Sequence, residues 1–98
     1  MSESRIERIK KMESYLDEAR QAVDELSEAA AKYEGVRKKI KALEKYYTGG
    51  QWLKDFEADE AGKLPGDLKR GVLSEDAVND LLDDNRKLCK RVSRYLSK

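Results

Sequence analysis

The chain has 98 residues, 21 basic and 20 acidic side chains, one cysteine and no histidine, enough polypeptide for one domain. Hydrophobic residues make up 39% and charged residues 42%, so any core is small and the surface is rich in ions. These figures exclude imidazole acid–base chemistry, Ser-His-Asp and Cys-His nucleophiles and an internal disulfide, and the net charge of +1 argues against a dedicated nucleic-acid binder.

Glu, Lys, Arg, Ala and Leu dominate the composition, which favours helix throughout. Ser4 and Glu7 have the spacing of a capping box. A helical pattern then runs without proline to Tyr47. Ile9, Met12, Leu16, Ala19, Val23, Leu26, Ala30, Tyr33 and Ile40 follow steps of three and four, and Tyr15, Ala22, Val36 and Leu43 widen the stripe. This is the broad apolar face of a bundle helix rather than a narrow coiled-coil seam. Gly35 is its weak point, where a kink or a break is expected because glycine costs about 1 kcal/mol against alanine inside a helix.

Gly49 and Gly50 end the first element. A short helix is expected from Gln51 to Ala61, with Trp52, Leu53 and Phe56 on one side. Residues 62–73 hold Gly62, Pro65, Gly66 and Gly71 and form a loop. Leu64, Leu68, Val72 and Leu73 supply that loop with apolar anchors, which predicts an ordered segment. Ser74 caps the last helix, with Glu75 and Asp76 in its first turn. That helix extends to Leu96 along Val78, Leu81, Leu82, Leu88, Cys89, Val92, Tyr95 and Leu96.

Charge is segregated along the chain. Residues 13–34 carry net −5, residues 35–50 net +4, residues 51–85 net −6 and residues 86–98 net +6. If the last helix folds back antiparallel on the first, each block meets one of opposite sign. Single exposed pairs contribute little, but such a pattern selects orientation. An unbroken first helix would span about 64 Å and the last about 33 Å, so their lengths do not match. Either the first helix breaks near Gly35, or its N-terminal half projects and exposes Ile6, Ile9, Met12, Tyr15 and Leu16. The second arrangement predicts a homodimer through Ile6, Ile9, Met12 and Leu16.

The chemical inventory is thin. Cys89 has basic neighbours but lies on the apolar stripe, so it reads as a buried structural thiol. Asp55, Glu57 and Asp59 start like a calcium loop, yet Glu60 and Gly66 occupy the positions that require glycine and glutamate. Gly62-Lys63 lacks the rest of a phosphate loop. Asp80 and Asp84 repel at i,i+4 unless a base of the first helix approaches. Asn85 sits on the apolar face as a register-setting polar residue. No catalytic, cofactor-binding or metal-ligating residue is assigned, and no cofactor is expected. No apolar run approaches the roughly 20 residues of a membrane span, and the N-terminus lacks a signal pattern, so a cytoplasmic location is expected.

The densest group of large side chains is Tyr46, Tyr47, Trp52 and Phe56. It reads both as the cap of the core and as a protein-binding corner, because Trp and Tyr are enriched in binding hot spots. Asp59, Glu60, Lys69 and Arg70 form its expected charged rim.

The stretch YYTGGQWLKDFEADEAGKLPGDLKRGVLSEDAVNDLL, residues 46–82, resembles the DUF4298 family of small uncharacterised bacterial proteins. The telling pieces are DFEADEAG at 55–62, Leu64-Pro65, and LKRGVLSED at 68–76. The N-terminal part resembles the family only in its helix patterning, with IERIK at 6–10. The resemblance implies a cytoplasmic bacterial or prophage origin and supplies no activity, cofactor or binding residue.

The sequence therefore predicts an all-α single domain over residues 1–98. It has a long N-terminal helix, a short middle helix, an ordered Gly/Pro loop and a C-terminal helix packed antiparallel on the first. The expected function is a protein–protein interaction module without catalysis, binding an unidentified protein through Tyr47, Trp52, Phe56, Asp59, Glu60, Lys69 and Arg70. Two alternatives stand beside it. One is a nucleic-acid-associated protein using the basic faces 86–98 and 37–41. The other is a small inhibitor encoded by a mobile element.

Overall fold

A computed structural model describes the backbone of residues 2–96 and the side chains from residue 4 onward. Among the described residues there are three α-helices and one 3-10 turn, and no strand. The helices are α1 (Ser2–Thr48), α2 (Gln51–Glu60) and α3 (Ala77–Leu96), and the 3-10 turn is Gly71–Leu73. The all-helical architecture, with a long first helix, a short middle helix, a 3-10 turn and a C-terminal helix, is the one the sequence predicts.

α1 starts at Ser2, so Ser4 and Glu7 lie within the helix rather than at its cap. Both flanking residues adopt helical geometry, and the cap expected at Ser4 gives way to two further helical positions. The helix continues without interruption through Gly35. Propensity alone costs too little there to break a helix of 47 residues. Thr48 ends it by donating its hydroxyl to the Glu44 carbonyl at 2.8 Å. Gly49 and Gly50 link it to α2.

α2 closes as its sequence predicts, within one residue. Gly62 takes φ +71°, its amide donates to the Asp59 carbonyl at 3.0 Å, and the Lys63 amide donates to the Ala58 carbonyl at 3.0 Å. This pair of reverse bonds is the Schellman closure, which needs a left-handed residue at the turn and so favours glycine. At the other end of the loop, the Ala77 amide donates to the Ser74 hydroxyl at 3.1 Å. Ser74 therefore caps α3, and the Asp80 amide reaching the Asp76 carbonyl at 2.8 Å starts the helical ladder.

The chain resolves into two compact units, one up to Arg37 and one from Lys38 onward. In the first, every described side chain from Ser4 to Lys32 is exposed. The second unit holds the end of α1, then α2, the loop, the 3-10 turn and α3. Its 3-10 turn packs on both α2 and α3. Among the described residues the buried apolar side chains are Leu73, Val78 and Leu82, at 7%, 3% and 5% exposure. Ile40, Leu43, Tyr46 and Tyr47 on α1 and Val92 on α3 are half-buried.

Cys89 corrects an expectation. It is exposed rather than buried, its thiol 4.0 Å from the Asn85 side-chain oxygen. Among the described residues α3 is buried at Val78 and Leu82, and Leu81, Leu88, Tyr95 and Leu96 are exposed. A helical period marks a stripe for its full length, whereas shielding extends only as far as neighbouring chain reaches. Asn85 is half-buried, as its place on that face predicts.

Candidate functional site

The corner between α1, α2 and the loop is built on one indole. Trp52 stacks on Phe56 with ring centroids 5.0 Å apart and an interplanar angle of 16°. Tyr47 meets its other side edge-on, at 5.1 Å and 64°. Offset and edge-to-face geometries of this kind favour aromatic pairs beyond their buried area. The helical repeat places Trp52 and Phe56 four residues apart on α2, hence on one face. Tyr47 comes from the last turn of α1. All three rings are half-buried.

The indole also ties down the loop. Its Nε1 donates to the Val72 carbonyl at 2.8 Å, twenty residues along the chain. A buried indole that finds an acceptor adds direction to apolar packing.

Arg70 makes the second tie. Its guanidinium forms an ion pair with the Asp59 carboxylate on α2, donates to the Pro65 carbonyl, and sends Nε to the Leu68 carbonyl at 3.3 Å. One planar side chain thus spans α2 and two points of the loop, which suits the fixed fork of arginine. The Asp59 side chain is 20% exposed and that of Arg70 36%, so this pair is better shielded than those along the helices.

A third tie joins α1 to α2 across Gly49-Gly50. The Tyr46 hydroxyl donates to Asp55 Oδ2 at 2.7 Å. Burial, then the hydrogen bond to Asp55 and its negative charge, push the Tyr46 phenol up to about 12.

The seven residues singled out in the sequence therefore divide. Tyr47, Trp52 and Phe56 form one aromatic stack. Asp59 and Arg70 hold each other rather than standing as a free rim. Glu60 and Lys69 remain exposed beside them. Leu68 and Val72, expected as loop anchors, are 48% and 38% exposed. Sequence reasoning did not foresee the bonds from Trp52 to Val72 or from Tyr46 to Asp55. The one signal for the Arg70 clamp was a pair of acids, Asp59 and Glu60, and a pair of bases, Lys69 and Arg70, flanking a Gly/Pro loop.

Along the basic stretch of α3, Asp83 accepts an ion pair from Lys87 at 3.0 Å and from Arg86 at 3.5 Å. The hydrogen bond from the Lys87 ammonium and its charge hold the Asp83 carboxyl below its ordinary value, with Arg86 adding to the effect. Residues 97 and 98 of the basic face 86–98 lie outside the described residues. No helix among the described residues is long and apolar enough to cross a membrane.

These features define a small all-helical protein in which a Gly/Pro loop is clamped to the middle helix by an indole and a guanidinium. The domain of unknown function DUF4298 matches residues 9–95, and the chain belongs to that family. No curated protein and no solved structure matches the chain.

Proposed function

We propose that the protein is a cytoplasmic protein–protein interaction module without catalytic activity, whose working surface is the aromatic corner and the loop clamped to it. The observation that carries this reading is a loop fixed at both ends that still leaves Leu68 and Val72 facing outward. A loop ordered before binding loses little entropy when a partner arrives, and rigidly placed loops are where recognition concentrates. Exposed Lys69 and Glu60 beside apolar Leu68 supply the mixed polar and apolar contact that protein interfaces use.

The nucleic-acid alternative draws on the basic residues of α3. Asp83, ion-paired with Arg86 and Lys87, carries negative charge into that stretch and weighs against it.

The test is affinity capture from a nuclease-treated bacterial lysate, comparing the wild-type chain with the variant Leu68→Asp, Lys69→Glu. Both positions are exposed, so the variant keeps its helicity. A specific protein retained by the wild type and lost by the variant supports the reading. Equal retention by both removes the loop as the surface. Retention that disappears with nuclease, and weakens steeply with salt, transfers the function to the basic faces.

A further inference from the structure

The N-terminal unit of α1 presents a second surface, independent of the loop. Ile9, Met12, Leu16, Ala19, Val23 and Leu26 follow alternating steps of three and four, and all are exposed. From Ile9 to Leu26 this pattern covers about two and a half heptads, and Ala30 and Tyr33 continue it along α1. A helix in this setting gains most of its stability from burying its apolar face against something else. Ile9, Met12, Leu16 and Val23 are each half exposed or more, at 53%, 50%, 62% and 53%.

Charge identifies the partner. Residues 5–11 carry four bases and one acid, net +3, and residues 12–28 carry six acids and Arg20, net −5. A second copy laid parallel sets like blocks against like. Laid antiparallel, the basic end of each copy meets the acidic stretch of the other. We infer that this face is covered by the same face of a second copy of the chain, in an antiparallel coiled coil centred between residues 17 and 18.

The register follows from the side chains. Centred there, Ile9 faces Leu26 of the second copy, Met12 faces Val23, and Leu16 faces Ala19. Each layer combines one apolar position from either strand of the seam. On one flank the bulky Tyr15 lies opposite the small Ala22. On the other flank Glu13 lies opposite Arg20, twice by symmetry. Sliding by one heptad in one direction sets Arg20 against the second copy's Arg20. Sliding the other way sets Glu13 against Glu13. Only the central register is attractive at both positions. Within one chain Arg20 lies 4.0 Å from Asp24, both largely exposed, a weak pair that a shielded partner displaces.

The experiment is sedimentation equilibrium on the full-length wild type, Glu13→Arg, Arg20→Glu and the double variant. All substitutions are on exposed positions, and Trp52 fluorescence reports that the second unit stays folded. The wild type should dimerise, each single reversal should weaken the dimer by about tenfold, and the double reversal should restore it. Seven residues separate the two positions, too far for a pair within one helix, so restoration can come only from the second copy. A monomeric wild type overturns the dimer. A dimer indifferent to the single reversals, or not restored by the double, overturns the antiparallel register. None of these results bears on capture through the loop, which uses other residues.

Discussion

Arg70 closes on Asp59 across eleven residues of chain and makes the Gly/Pro loop an extension of α2. The same guanidinium reaches the Pro65 and Leu68 carbonyls, so the loop's path is fixed by one side chain at three points. The nearby bond from Trp52 to Val72 fixes where the loop enters the 3-10 turn. Between them they bring Leu73 into the core beside Val78 and Leu82.

Arg70→Ala should destabilise the protein by about 1–2 kcal/mol, the range for charge-assisted bonds at a partly exposed site. Arg70→Lys should recover little of this, because an ammonium cannot span the acceptors of a planar fork. Trp52→Phe keeps the stack on Phe56, loses one hydrogen bond and should cost about 1 kcal/mol. Urea unfolding followed by circular dichroism measures all three.

The Tyr46 phenol should ionise late. Its folded value is pushed up to about 12, against 10.0 for an unperturbed tyrosine. The protonated form is the one favoured by folding. Its contribution to stability is therefore complete below pH 10, falls as pH rises from 10, and is gone above 12. An ultraviolet titration should show a trailing step from the raised phenol. Tyr46→Phe should abolish the trailing step, and Asp55→Asn should move it down.

Two glycines should respond oppositely to alanine. A Cβ at Gly35 meets nothing within 4 Å, so Gly35→Ala should stabilise α1 by about 0.5–1 kcal/mol. Gly62 sits at φ +71°, where a side chain is strained, and Gly62→Ala should cost about 1–2 kcal/mol. Paired thermal melts of the two variants check the signs.

The secondary structure was largely legible in the sequence because its signals are local. The apolar period of 3.6, the Gly49-Gly50 punctuation, Gly62 as a stop and Ser74 as a cap each act within a few residues. Family membership was legible for a similar reason, in the distinctive run from Tyr46 to Leu82. Local signals failed where shielding was the question. Cys89 shares the stripe of Val78 and Leu82, yet it is exposed, because a helical period marks a face and not the chain that covers it. At Gly35 a local weakness was legible, but an uninterrupted helical ladder outweighed it.

The sequence by itself determined an all-helical chain, the positions of its helices and loop, and the aromatic and charged residues gathered near residues 46–70. Only the tertiary structure decided how those residues pair. Tyr46 with Asp55, Asp59 with Arg70 and Trp52 with Val72 are nine, eleven and twenty residues apart. No period of helix or strand specifies such distances. They are set by where the Gly49-Gly50 and Gly62 turns return the chain, and a hydrogen bond selects its partner only after the backbone has brought donor and acceptor within about 3 Å.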